Sequence, residues 1–266
     1  MEQTHWKQKI AAVLAAVLCL AGCGAVSSTP APEETVVAEA PLPTPSPRPT
    51  PTPEPVPVYT GPDLPEREMV EDSFFADAAF FGNSLVEGLR MCGGLKEGEF
   101  YSATSASVVS VGMTKNMQLS SGSSATLLQA LCEKPHGKIY TMLGINEIGF
   151  EPDYFIELYS AMLDEIRAAS PDAEIYIMSL TPVTEKKSES NETFSMERVR
   201  AYNEALRTLA ETRELYFVDL EEALAGADGY LPAAASSDGV HLKPDGYAQW
   251  ADYLRTHYAV QEYGYK

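Results

Sequence analysis

Basic side chains are scarce in this sequence: 19 Lys and Arg stand against 38 Asp and Glu, a formal net charge of −19. No basic patch stands out, which argues against nucleic acid as the main partner, and anionic substrates meet repulsion at long range. Apolar runs are short as well. The run Ile10–Ala21 is too brief to cross a bilayer as an ordinary transmembrane helix. There are only four cysteines, none in a CxxC pair, and the four histidines (His5, His136, His241, His257) form no HxxxH or Cys/His cluster with metal-ligand spacing. No metal and no other cofactor is therefore expected. A structureless polymer is excluded by the 45% of residues that are hydrophobic.

The first quarter of the chain differs from the rest. Lys7 and Lys9 precede the apolar run, which matches the h-region of a secretory signal. The run ends Leu20-Ala21-Gly22-Cys23, which resembles a bacterial lipoprotein signal cleaved before the cysteine. Residues 1–22 are accordingly read as the signal, and Cys23 as the lipidation site that holds the chain on the outer face of the bacterial cell membrane; an ordinary signal peptide with a coincidental Cys23 is the alternative. A multiply acylated cysteine anchors stably, because each buried methylene contributes ~0.8 kcal/mol. Thirteen of the nineteen prolines fall between Pro30 and Pro65. Residues 23–68 then read as a polyproline II spacer, reaching on the order of 110 Å at ~3.1 Å per residue over its Pro-rich part. Residues 69–266 are enough for one domain with a sizeable core. Export permits a disulfide between Cys92 and Cys132, but two buried thiols fit the sequence equally well.

Within the domain, short runs rich in β-formers recur at Ala78–Phe81, Ser105–Val111, Lys138–Leu143, Glu174–Leu180 and Leu215–Val218. Amphipathic stripes lie between and after them. Phe155, Leu158, Met162 and Ile166 form one; Val199, Tyr202, Leu206 and Leu209 a second, behind a plausible N-cap at Ser195. Tyr247, Trp250, Leu254 and Tyr258 form a third, with Pro244 in its first turn. Alternating strands and helices mean βαβ units around a parallel sheet, with ligands outside the carboxyl ends of the strands.

Three polar segments fall at such ends. Gly82-Asn83-Ser84 puts a serine at a strand-to-helix turn, where its hydroxyl is exposed and its amide points into the site; the bare pattern also fits an ordinary turn. Gly144-Ile145-Asn146-Glu147 offers an amide side chain that would donate to an oxyanion, or a plain turn former. Asp238-Gly239-Val240-His241 places an Asp three residues before a His, a spacing that lets the carboxylate orient Nδ1 and leave Nε2 free as a base, and that taken alone also fits a surface coincidence. Lys186-Lys187 reads as a solvated polar loop, and His257 as a surface or packing residue of the last helix.

Together the segments resemble the SGNH hydrolases, or GDSL-type esterases, over Phe80 to about Tyr258. The resemblance implies a three-layer α/β/α sandwich with a five-stranded parallel sheet in a flavodoxin-like arrangement. Carried over by position, Ser84 matches the nucleophile, His241 the general base and Asp238 the residue that orients it. Asn146 and the Ser84 amide match two oxyanion donors. The third donor of the family is the amide of a glycine after the second strand. The stretch Tyr101–Ser107 contains no glycine, and Ser105 is the best match there. Asn83 and Glu147 stand where the family commonly has Asp, departures expected to leave activity intact.

The implied reaction is acyl transfer through an acyl-enzyme on Ser84. The expected substrate is an acetylated carbohydrate or cell-wall polysaccharide, since a tethered enzyme meets polysaccharide first and relatives remove acetyl groups from carbohydrate. Rivals are lysophospholipase, thioesterase or O-acetyltransferase activity, or a non-catalytic glycan-binding lipoprotein. A monomer is expected.

Overall fold

The structure, a computed structural model, describes residues 55–260 and 262–265. The expected signal, Cys23 and the spacer up to residue 54 lie outside the described residues. In chain order the elements are β1 (Pro55–Val58), β2 (Ala78–Gly82), α1 (Ser84–Cys92), β3 (Glu99–Ser102), β4 (Lys115–Gln118), β5 (Ser124–Thr126) and α2 (Leu127–Leu131). They continue with β6 (Lys138–Met142), α3 (Pro152–Ala169), β7 (Glu174–Met178), α4 (Glu185–Ser190) and α5 (Met196–Thr212). β8 (Tyr216–Val218), α6 (Leu220–Leu224), α7 (Pro244–Thr256) and β9 (Glu262–Tyr265) complete the chain.

Five strands form one parallel sheet in the order β3-β2-β6-β7-β8. Taken in order along the chain this is 2-1-3-4-5, the flavodoxin-like order. The chain leaves β2 toward one edge and returns past it to β6, so the direction of winding reverses between β2 and β6. Crevices open at the carboxyl ends of strands at such a switch point. Packing groups the helices as α1, α6 and α7 against each other, and α2, α3 and α5 against each other. Their apolar stripes explain this. Val199, Tyr202, Leu206 and Leu209 of α5 are all buried, as are Tyr247, Trp250 and Leu254 of α7. The α3 stripe is broader than its spacing suggests, with Tyr159 and Leu163 fully buried and Leu158 only half-buried.

One row of aromatic side chains crosses the whole sheet. Phe100, Phe80, Tyr140, Tyr176 and Tyr216 occupy paired register positions on successive strands. Their ring centroids are 4.7, 4.9, 4.4 and 5.1 Å apart along that row. Cross-strand aromatic pairs contribute about 0.5–1.5 kcal/mol each beyond their burial, so this ladder fixes register as well as filling the core. Register in turn sets Gly82 beside Ser102 and Met142, aligning the three strand ends that carry the candidate site.

Two expectations need correcting. The second strand of the sheet is Glu99–Ser102, not Ser105–Val111. The later segment buries Ala106, Val108 and Val111, but a turn through Ser105 and a 3-10 turn at Ser110–Gly112 break the extended backbone. The Lys186-Lys187 stretch is helical, within α4, and Lys187 is half-buried with its ammonium 4.6 Å from the centre of the Phe194 ring. His257 caps the end of α7, buried and stacked on Tyr253. Cys92 and Cys132 are free thiols, both half-buried.

Residues 55–68 lie on the domain. β1 pairs antiparallel with β9, Asp63 bridges to Phe217, and Arg207 forms an ion pair with Asp63.

Candidate active site

Ser84 is the first residue of α1. The preceding Asn83 is extended, and its Oδ1 accepts the Leu85 amide at 2.9 Å, an N-cap that starts the helix directly after β2. Gly82 makes this turn possible. A Cβ there would lie 2.4 Å from the Met142 carbonyl oxygen and 2.6 Å from Val86 Cγ2, so any side chain would push β2 from β6. With the cap in place, Ser84 Oγ sits 3.0 Å from His241 Nε2.

His241 is oriented within its own loop. Asp238 Oδ1 accepts the backbone amides of Val240 and His241, both at 2.9 Å, and the Ser236 hydroxyl at 3.3 Å. Oδ2 is then left to face the imidazole, 2.7 Å from Nδ1. Nδ1 therefore carries the hydrogen, and Nε2 is the acceptor for the Ser84 hydroxyl. Burial alone would raise the Asp238 pKa, but the hydrogen bonds from the His241 ring and from the two amides hold the carboxyl well below the usual range. It stays anionic wherever the imidazole is neutral. The loop is closed by a Ser236–Leu242 bridge and packed on α4, with the Thr184 amide donating to the Gly239 carbonyl at 3.0 Å. Gly239 has φ +88, and a Cβ would lie 2.6 Å from Lys187 Cβ, so both backbone conformation and the approach of α4 demand glycine.

The donor side draws on two further strand ends. Past β3, the Ala106 amide closes a turn onto the Ala103 carbonyl at 3.1 Å, with Ser105 at its third position and φ +60. That left-handed seat is the one glycine ordinarily fills, and it is where the sequence match placed Ser105. Past β6, Asn146 is exposed and its Nδ2 donates one hydrogen to the Ala106 carbonyl at 2.8 Å. The second hydrogen of that amide is free for a ligand. Among the described residues no acceptor takes the amide hydrogens of Ser84 or Ser105. Chemically, the arrangement supplies a hydroxyl aligned on a base, a carboxylate behind it, and three N–H donors at neighbouring strand ends. Among the described residues no three His, Cys, Asp or Glu side chains gather as a metal site.

This geometry coincides with a sequence match. The GDSL-like Lipase/Acylhydrolase family matches residues 80–249, well over half of the chain. The chain belongs to this family. It is a serine hydrolase of the SGNH type, and solved structures of related fold agree on the architecture. A chain from Streptococcus pneumonia, provisionally described as a platelet activating factor, is 22% identical, covering 67% of this chain and 82% of its own, with a TM-score of 0.53. A provisional acylhydrolase from Bacteroides fragilis NCTC 9343 is 16% identical over 72% of this chain and 88% of its own, with a TM-score of 0.52. A GDSL-like lipase from Bacteroides thetaiotaomicron VPI-5482 is 14% identical over 67% and 85%, with a TM-score of 0.51. No curated protein matches the sequence.

Sequence reasoning did not single out Ser236, whose hydroxyl reaches Asp238 and also accepts the Gly239 amide at 2.9 Å. The Ser-x-Asp spacing is its only trace. Thr184 and Lys187, which wall the Asp238 loop, carry no motif at all. Glu147, which stands where the family commonly has Asp, is buried behind the loops that carry Ser105 and Asn146.

Proposed function

We propose that this acylhydrolase cleaves acyl esters, in the first place acetyl esters on carbohydrate or cell-wall polysaccharide, through an acyl-enzyme on Ser84. The observation that carries the reading is the continuous relay from Ser84 Oγ through His241 to Asp238, at 3.0 and 2.7 Å. Ser84 Oγ attacks the ester carbonyl while His241 Nε2 takes its proton; Asp238 balances the imidazolium. The Ser84 amide, the Ser105 amide and Asn146 Nδ2 hold the tetrahedral oxyanion. His241 then gives its proton to the departing alcohol. A water, deprotonated by the same nitrogen, releases the acid and restores Ser84.

The preference for a carbohydrate substrate draws on the expected tether, since an enzyme held outside the membrane meets polysaccharide first. The expected anchor at Cys23 would hold the enzyme on the outer face of the bacterial membrane, facing the wall. A lipidated Cys23 is tested by metabolic labelling with an alkynyl fatty acid, where loss of label in Cys23→Ala is the expected result.

The test of the reaction is hydrolysis of p-nitrophenyl acetate, butyrate and octanoate by the purified chain. Acetate turnover that vanishes in Ser84→Ala and His241→Ala supports the reading. Preference for octanoate would redirect it toward lipids or thioesters. Failure of the folded protein on all three esters would contradict it.

A further inference from the structure

Asn146 and Glu147 are adjacent in sequence but face opposite ways. Asn146 is exposed toward the candidate site, whereas Glu147 is only 2% exposed. Its Oε1 accepts the backbone amide of Val108, and its Oε2 is buried without a hydrogen-bond partner. Val108 belongs to the segment that carries Ser105. Two bonds of opposite direction therefore tie that segment to the Asn146 turn: Asn146 Nδ2 donates to Ala106, and Val108 donates to Glu147.

The two sides of this tie are unequally secured. On the Asn146 side, the Glu147 amide donates to the Gly144 carbonyl at 3.1 Å and the Tyr202 hydroxyl donates to the Glu147 carbonyl at 2.6 Å. Arg198 adds a bond from Nε to the Ile148 carbonyl at 2.7 Å. On the Ser105 side, the polar bonds are mostly local, between Ala106 and Ala103 and between Ser107 and Ser110. That side also contains a serine in the left-handed region, a conformation that a serine does not hold unless its surroundings impose it. The buried acid supplies the outside restraint.

We propose that Glu147 is a positioning residue of the oxyanion hole, its buried carboxylate holding the Ser105 segment through Val108 N–H so that the Ser105 amide and Asn146 Nδ2 face one oxyanion. The proposal rests on the reading of Ser105 and Asn146 given above. Oxyanion contacts form fully only in the transition state, so a misplaced donor lowers kcat and leaves KM nearly unchanged.

The test compares Glu147→Gln, which keeps an acceptor oxygen, with Glu147→Leu, which keeps the bulk and loses the acceptor. For p-nitrophenyl acetate, kcat is expected to fall by about 10–100-fold in Glu147→Leu with KM held, and to recover to within about threefold of wild type in Glu147→Gln. Hydrogen exchange is followed on the same proteins. Amides of residues 104–110 are expected to exchange about tenfold faster in Glu147→Leu and at the wild-type rate in Glu147→Gln. Equal kcat in the two variants, a change confined to KM, or unaltered exchange would overturn the assignment. If wild type shows no Ser84-dependent turnover, the functional reading fails, and the exchange comparison alone decides whether Glu147 holds the loop.

Discussion

The proposed base and the proposed oxyanion donors of this enzyme are assembled by contrasting means. From Ser236 to His241, six consecutive residues supply every hydrogen bond that orients the imidazole, and Asp238 alone accepts three of them with one oxygen. The donor side instead gathers Ser84, Ser105 and Asn146 from the ends of β2, β3 and β6. Their alignment depends on the sheet register and on two bonds between loops. A local motif depends mainly on its own few residues, here backed at one point by the Thr184 amide on the Gly239 carbonyl. A distributed one is sensitive to side chains that never meet the substrate.

The largest effect should come from the centre that both halves share. Ser84→Ala and His241→Ala are each expected to lower kcat/KM for p-nitrophenyl acetate by about 10⁴-fold or more, with the far-UV circular dichroism unchanged. A residual rate near wild type in either variant would break the relay. On the distributed half, Asn146→Ala removes both the free donor and the bond to Ala106. Steady-state kinetics are expected to show a loss of ~10²–10³ in kcat; a loss confined to KM would place Asn146 in ground-state binding instead.

Stability sharpens the same contrast. Burial pushes the Glu147 carboxyl up from 4.5 to about 7, opposed mainly by the bond from the Val108 amide. Tyr159 and Tyr202 face it from α3 and α5, and the neighbouring Arg198 guanidinium is engaged with the carbonyls of Ile148 and Phe150. Because the folded state keeps this proton longer than the unfolded state, the associated stability is full below about pH 4.5 and lost as pH rises through 7. Glu147→Gln lacks that loss. Urea titrations should therefore show the variant gaining roughly 2–3 kcal/mol relative to wild type between pH 5 and pH 8. An equal difference at the two pH values would show that no buried charge is being relieved. The smallest effect is expected at Ser105, whose φ of +60 suits glycine. Ser105→Gly should raise stability by about 0.5–1 kcal/mol with activity retained, since the donor is the backbone. A destabilised Ser105→Gly would mean that the hydroxyl, not the backbone, holds the turn.

The same contrast explains what could be read from the sequence. Asp238 and His241 lie only three residues apart, so the pair itself was visible in the sequence, although the spacing alone also fitted a surface coincidence and their roles came from the family resemblance. Ser84 and Asn146 fell at strand ends where the bare patterns also fitted ordinary turns, so their roles, like the flavodoxin-like sheet order, came from the joint resemblance of the three segments; the alternating β-rich and amphipathic runs pointed only to a parallel sheet. The edge strand was not legible. Glu99–Ser102 is short, half-exposed and opens with a charge, so its pattern is fainter than the Val-rich loop behind it, where Ala106, Val108 and Val111 mimic an apolar run while packing from turns. α4 was missed because its six residues are charged or hydroxylated, and its structural weight lies in the Thr184 cap and the close contact with Gly239. Glu147 was legible as a substitution but not as a tie, since Val108, thirty-nine residues away, is joined to it only by the fold.

The proposed function stands on Ser84 becoming acylated with His241 as its base. Treating the protein with a fluorophosphonate ester and locating the adduct by peptide mass spectrometry tests this step. A single adduct is expected on the peptide containing Ser84, absent in Ser84→Ala and strongly slowed in His241→Ala. Ester hydrolysis that proceeds without an adduct, or with one on another residue, would contradict it.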